Sequence, residues 1–126
     1  VARPAEELDA IRACYGDALG LEELGAFRDR DGDDGIMVGA RGRATHLEFT
    51  RHAADSACPP PTRDNLLVFY LPDAGALADV SARLRSLGHQ PVPPQNPYWE
   101  GRGVTFEDPD GWRIVLMEDA PTGGTT

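Results

Sequence analysis

The sequence predicts an α+β fold in which a βαβββ unit occurs twice, and three observations carry that expectation. Two amphipathic stretches at helical spacing each end on a glycine, Gly20 and Gly88, 68 residues apart. The run Gly35, Ile36, Val38 ahead of one turn returns as Gly103, Val104, Phe106 ahead of another, again 68 residues on. Beyond those turns the offset slips to 67, with Leu47 and Phe49 answering to Ile114 and Leu116, which is the result of one turn being a residue longer. A constant offset of about half of 126 residues marks a duplicated supersecondary unit rather than chance similarity.

Each element follows from local chemistry. Leu8, Ile11, Tyr15, Ala18 and Leu19 share one helical face, and Gly20 supplies the left-handed cap. Gly39 to Arg43 is a turn between two alternating strands. Leu66 to Leu71 reads as the opening strand of the second half. Asp73 is the N-cap of the second helix, whose apolar face is Leu77, Val80, Leu84 and Leu87 before Gly88. Pro91 to Pro97 interrupts regular structure ahead of Tyr98 and Trp99. Asp108-Pro-Asp-Gly111 is a turn, with proline presetting φ and glycine accepting positive φ. The predicted organisation is a first module over residues 1–57, a proline-rich linker over 58–63, a second module over 64–119 and a flexible tail over 120–126.

Composition narrows the function. A formal charge of −9, from 21 acidic against 12 basic residues, repels polyanions, so nucleic acid is not an expected partner. All basic residues are arginine, which removes lysine Schiff-base chemistry and lysine-dependent phosphate loops. Cys14 and Cys58 form no CxxC pair; Cys14 falls on the apolar face of the first helix and Cys58 is an exposed thiol beside three prolines. With no 18-residue apolar run and no leader-like segment, a cytoplasmic protein without a membrane partner is expected.

The stretches CYGDALGLEEL, HLEFT and NPYWEGRGVTFEDPDGWRIVLME resemble the vicinal oxygen chelate superfamily, which groups glyoxalases, bleomycin-resistance proteins and extradiol dioxygenases. The resemblance spans almost the whole chain. It implies that the two modules form an incompletely closed, cup-shaped barrel of eight strands, commonly in a homodimer. Metal-dependent members place ligands on the first and last strand of each module. Carried over residue by residue, Glu48 matches the glutamate of the first module's last strand. Asn65 stands where a histidine is expected, and Val115 stands where the second glutamate is expected, with Glu118 on the opposite face. The remaining ligand position falls at or before Val1.

One matched ligand is too few for an ion that needs about three protein donors and an open position. His46 and Glu48 nevertheless share a strand face. They read as two metal ligands, an acid–base pair, a polar couple orienting a bound molecule, or an ordinary surface pair. Tyr98 and Trp99 lie in an irregular, proline-bounded loop and offer flat apolar area with a polar tip to a planar ligand. Arg102 is a partner for an anionic group, and Arg113, on the Val115 face, needs Glu48 or an anionic ligand beside it. His52 and His89 read as solvated, and the cluster Asp29, Asp31, Asp33, Asp34 reads as a hairpin turn rather than a calcium loop.

The expected function is therefore binding of a small organic molecule, a drug or a metabolite, by a homodimeric protein without a metal cofactor. The ligand-binding candidates are His46, Glu48, Asn65, Tyr98, Trp99, Arg102 and Arg113. The alternative is a lyase, isomerase or dioxygenase of the same superfamily using one divalent metal ion held by Glu48 and His46. A shell whose pocket is filled by its own side chains is a third reading.

Overall fold

The structure, a computed structural model, describes residues 2–30, 32–43, 45–52, 62–63, 65–99, 101 and 103–118. The chain divides into two compact units, Val1–Pro60 and Pro61–Thr126. In the first, strand β1 (Ala2–Pro4) leads to helix α1 (Leu8–Ile11), which widens into a π-helical segment (Arg12–Ala18). Strands β2 (Glu22–Arg30), β3 (Asp33–Gly39) and β4 (His46–His52) follow. The second unit repeats the order as β5 (Leu66–Leu71), α2 (Ala74–Ser86), β6 (Pro91–Val92), a 3₁₀ turn (Pro97–Trp99), β7 (Gly103–Glu107) and β8 (Arg113–Glu118). Each unit holds one four-stranded sheet, ordered β1-β4-β3-β2 and β5-β8-β7-β6, in which the first and last strands pair in parallel. This is α+β architecture built from two βαβββ modules. Among the described residues, no helix is long and apolar enough to cross a membrane.

The slip in repeat offset has its cause in the hairpins. Val38 pairs with Leu47 and Phe106 with Ile114, so the β3–β4 connection is one residue longer than the β7–β8 connection. The second turn is tightened by its own aspartate: Asp108 Oδ1 accepts from the backbone N–H groups of Asp110 (2.9 Å) and Trp112 (3.0 Å), and Gly111 has φ 86°. Those side-chain bonds make Asp108 a turn residue, buried for structural reasons. The acidic cluster likewise closes the β2–β3 hairpin, with the Asp29 N–H donating to Asp34 Oδ1 at 2.8 Å. Asp31 and Cys58 lie outside the described residues, as do Arg102, most of the expected linker and the expected tail.

One element is weakly marked in the sequence and another differs from its expected reading. The first strand of the first module begins within the chain, at Ala2, and is too short to be recognised by alternation; its pairing with β4 defines it. The proline-rich stretch starts with a strand, because Pro91 and Val92 form a two-residue edge against Phe106 and Thr105. An edge tolerates proline since no ladder hydrogen bond is lost there.

Each helix packs on one face of its own module's sheet. Ile11, Cys14, Tyr15 and Ala18 are buried, and the π-helical widening is visible in the Leu19 N–H reaching Cys14 O at 3.1 Å. Tyr15 meets Phe49 with ring centroids 4.7 Å apart. Phe49 and Ile36 belong to this core, whereas Glu48 and Met37 alternate to the other face. In the second unit Val80 and Leu84 of α2, Ile114 and Leu116 of β8 and Phe106 of β7 are buried. Asp73 caps α2 by accepting from the Ala76 N–H at 2.8 Å, as its position predicts. Leu87, on the apolar pattern, stays exposed at the helix end.

The repeated glycines Gly35 of β3 and Gly103 of β7 are there for space. A Cβ on Gly35 would enter the Phe27 ring, and one on Gly103 would overlap Met117 Sδ and stand 2.7 Å from Leu116 O. Because a backbone oxygen cannot step aside as a flexible side chain does, Gly103→Ala is expected to destabilise the protein by about 1–3 kcal/mol. Urea unfolding of the two proteins measures it; an unchanged midpoint would contradict the packing described.

Candidate functional site

Sheet alternation gives each module one face covered by its helix and one face turned away from it. On the second face of the first module stand His46, Glu48 and Thr50 of β4. His46 Nε2 lies 3.6 Å from Glu48 Oε1, with the side chains 42% and 35% exposed. The two are neighbours beyond hydrogen-bonding distance, attracted when the imidazole is protonated. Opposite Glu48 the register places Ala2 in β1 and Met37 in β3, neither an oxygen nor a nitrogen ligand.

The second module repeats the geometry with different chemistry. Val68 and Thr105 flank Val115 in its sheet as Ala2 and Met37 flank Glu48. Val115 thus occupies the place of Glu48, and it offers no donor. Among the described residues, no three of His, Cys, Asp and Glu come together. The donor set described therefore does not fit the three-ligand divalent centre that the superfamily resemblance implies for its metal enzymes. Asn65 is exposed and precedes β5. Its Oδ1 accepts from the Thr62 N–H at 3.0 Å and from Thr62 Oγ1 at 2.8 Å, which closes the turn into the strand. Counting back from the register, the matching place in the first module lies ahead of Val1.

Arg113 is buried on the Val115 face, as alternation predicts, and it has a partner within its own module. Its guanidinium donates to Pro93 O at 2.8 Å and to Glu107 Oε2 at 3.3 Å. Glu107, directly across the hairpin, thus fills the role expected of Glu48 or an anionic ligand. Arg113 Nε remains buried without a hydrogen-bond partner among the described residues.

Trp99 and Tyr98 come together at the 3₁₀ turn. The turn is fixed by Asn96, whose Oδ1 accepts from the Tyr98 N–H at 2.9 Å and whose carbonyl accepts from the Trp99 N–H at 3.1 Å. The rings meet edge to face with centroids 4.9 Å apart; Tyr98 is 68% exposed and Trp99 half-buried. Trp99 stands over a small recess, about 10 Å³ of open space, on the face of the sheet away from α2. Leu66, Val115 and Pro94 supply apolar walls, and Arg63 stands at the edge. Thr105 reaches the recess from β7 with 2% exposure, and its hydroxyl has no hydrogen-bond partner among the described residues.

Thr105 and Arg63 were not singled out by sequence reasoning. Thr105 carries a signal: it is the polar residue between Val104 and Phe106, placed by alternation on the face of Val115. Arg63 adjoins the proline run and has no periodicity to place it.

A second cleft, in the first module, runs between the start of α1 and strands β2 to β4. Its charges largely satisfy one another. Arg12 donates to Glu23 at 2.8 Å and Asp9 at 2.9 Å, and Arg51 donates to Glu6 O at 3.0 Å. The hydrogen bond to Glu23 raises the Arg12 pKa above its ordinary value, with burial acting against it and Asp9 adding to it.

Two βαβββ modules, each with a parallel pairing of first and last strands, define a protein of the glyoxalase-like vicinal oxygen chelate class. Within that class the chain belongs to the YycE-like family. Residues 1–50 match the YycE-like N-terminal domain and residues 64–118 the YycE-like C-terminal domain. The chain is 45% identical over 124 residues to YycE of Bacillus subtilis (strain 168), covering 98% of this chain and 89% of the relative. A crystal structure of a YycE protein of unknown function from Bacillus subtilis, classed as a candidate glyoxalase/fosfomycin resistance protein, is similar at TM-score 0.88 and 46% identity, over 95% of this chain and 88% of that one. Glyoxalase I of Leishmania major shares the fold at TM-score 0.77 and 17% identity, over 98% and 87% of the two chains. TnmS3, an antibiotic binding protein from Streptomyces sp. CB03234, is similar at TM-score 0.66 and 25% identity, over 95% and 93%.

Proposed function

We propose that this protein binds a small organic molecule, a drug or a metabolite, and does so without a metal ion. The observation that carries the reading is the surface at Trp99, where an indole, an apolar floor and a buried hydroxyl without a partner among the described residues converge. Apolar walls with a few directed polar groups are the usual make-up of a ligand site. The recess itself has room for about one water, far below the ~300 Å³ of a site that encloses a drug-sized molecule. A ligand in this reading lies over the recess, against the Trp99 indole and exposed Tyr98. Likeness to an antibiotic binding protein supports a sequestering role. The functional molecule is a homodimer in this reading, and sedimentation at twice the chain mass is the expected result.

The metal-free part of the proposal rests on the donor set around Glu48. Elemental mass spectrometry of untagged protein is expected to give far less than one metal per chain, before and after incubation with Mn, Fe, Ni or Zn and dialysis. A near-stoichiometric value would overturn it. It would favour the second reading, a divalent-metal lyase, isomerase or dioxygenase, which the proximity of His46 and Glu48 supports. Glu48→Ala would then release the metal.

A further inference from the structure

We infer that the cleft of the first module is a separate binding site, and that it takes a free α-amino acid with an apolar side chain. The inference goes beyond the reading at Trp99 and is independent of it. Space is the first observation. The cleft offers about 410 Å³ of open volume, within the ~300–1,000 Å³ of small-molecule sites. Ile36 and Phe49 are buried on the helix-covered face of the sheet; two residues along the same face of β3 and β4, Asp34 and Arg51 line the opening instead. Ala26 of β2 adds only a methyl group, and half-buried Leu8 supplies an apolar wall.

Charge is the second observation. Arg12 is paired with Asp9 and Glu23, and Glu6 is engaged as well. Arg28, Arg51, Glu7 and Asp34 complete the charged lining. Asp34 and Arg51 stand directly opposite in the β3–β4 ladder, where opposite charges ordinarily pair. Here they are held apart: Arg51 Nε donates to Glu6 O at 3.0 Å, and Asp34 Oδ1 accepts from the Asp29 N–H at 2.8 Å. The terminal amino groups of Arg51 and the second oxygen of Asp34 have no partner among the described residues, nor do the side chains of Arg28 and Glu7. A simple anion would meet Asp34 and Glu7, and a simple cation would meet Arg28 and Arg51. A zwitterion satisfies both signs. In a free α-amino acid the carboxylate and the ammonium sit on one carbon, a spacing that suits side chains whose Cβ atoms are about 5 Å apart across a ladder. The assignment follows: Arg51 takes the carboxylate with its fork, Asp34 accepts from the ammonium, and the ligand side chain lies along Leu8 and Ala26.

The test is an NMR chemical-shift titration of the whole ¹⁵N-labelled chain with L-leucine, with N-acetyl-L-leucine, which lacks the ammonium, and with L-leucinamide, which lacks the carboxylate. Leucine is expected to give saturable shifts at the amides of Asp34, Gly35 and Arg51 and to leave the Trp99 indole unmoved. Each blocked analogue is expected to bind about tenfold more weakly, because a charge-assisted hydrogen bond is lost. Arg51→Gln and Asp34→Asn are each expected to weaken leucine about tenfold; the first removes the preference over leucinamide and the second the preference over N-acetyl-leucine. Arg51 is exposed, and asparagine at 34 keeps an oxygen for the Asp29 N–H, so both variants stay folded. Arg41→Gln, paired with Glu22 outside the cleft, controls for net charge and is expected to bind as the wild type does. Equal binding by the three compounds, unchanged leucine binding in both cleft variants, or no saturable shift in the cleft would each overturn the inference. Leucine that shifts the Trp99 indole instead would overturn it and leave the reading at Trp99 standing; failure of every ligand at Trp99 would overturn that reading and leave this site untouched.

Discussion

Trp99→Ala is expected to abolish most small-molecule binding while leaving the protein folded. The indole covers the recess and is half-buried, so its removal opens that recess to water and deletes its largest apolar surface. A well-seated aromatic ring contributes on the order of 2 kcal/mol, which is roughly a thirtyfold loss of affinity. The fold should hold, because the ring packs on an irregular turn beside exposed Tyr98 and not within either helix–sheet core. Calorimetric titration with any ligand found for the wild type, paired with circular dichroism, checks both halves of the expectation. Unchanged affinity in a folded variant would remove Trp99 from the site.

Phe49→Ala has the opposite signature. Phe49 is 1% exposed, meets the Tyr15 ring at a tilt of 40° and lies under the Arg3 guanidinium, 4.8 Å from its ring centroid. Truncating such a residue removes its burial energy and leaves a cavity that the neighbours fill only in part, at a cost of about 3–5 kcal/mol. That is a large share of the ~5–15 kcal/mol that holds a domain together. Chemical denaturation should show the midpoint falling steeply, with binding by the surviving folded fraction unchanged. A shift below about 1 kcal/mol would mean that the helix-covered face of β4 is not the core of the first module.

The contrast between these two variants reflects what local sequence can encode. The duplicated fold was legible because helix caps and strand pairs are short-range: Gly20 and Gly88 both have positive φ, Asp73 caps α2, and the hairpin registers reproduce the offsets of 68 and 67. Alternation also placed His46 with Glu48, and Arg113 with Val115. Partner choice was harder. Arg113 was expected to reach for Glu48 or an anion, whereas Glu107 lies across its own hairpin; the cross-strand neighbour wins because it is held in place by the ladder. Thr105 and Arg63 converge with Trp99 from three separate segments, and such convergence has no periodicity to reveal it. Asn65, read from the family position, is engaged with Thr62 in the turn before β5.

The proposed ligand site is the surface formed by Trp99, its recess and exposed Tyr98. The most direct measurement is a fragment screen followed by amide and indole NMR of the uniformly ¹⁵N-labelled chain. The expected result is that hits shift the Trp99 indole N–H and the amides of Leu66, Thr105 and Val115 in concert. Hits that move only the cleft lined by Arg12, Phe27 and Arg51, or a screen in which no fragment shifts any of these signals, would contradict it.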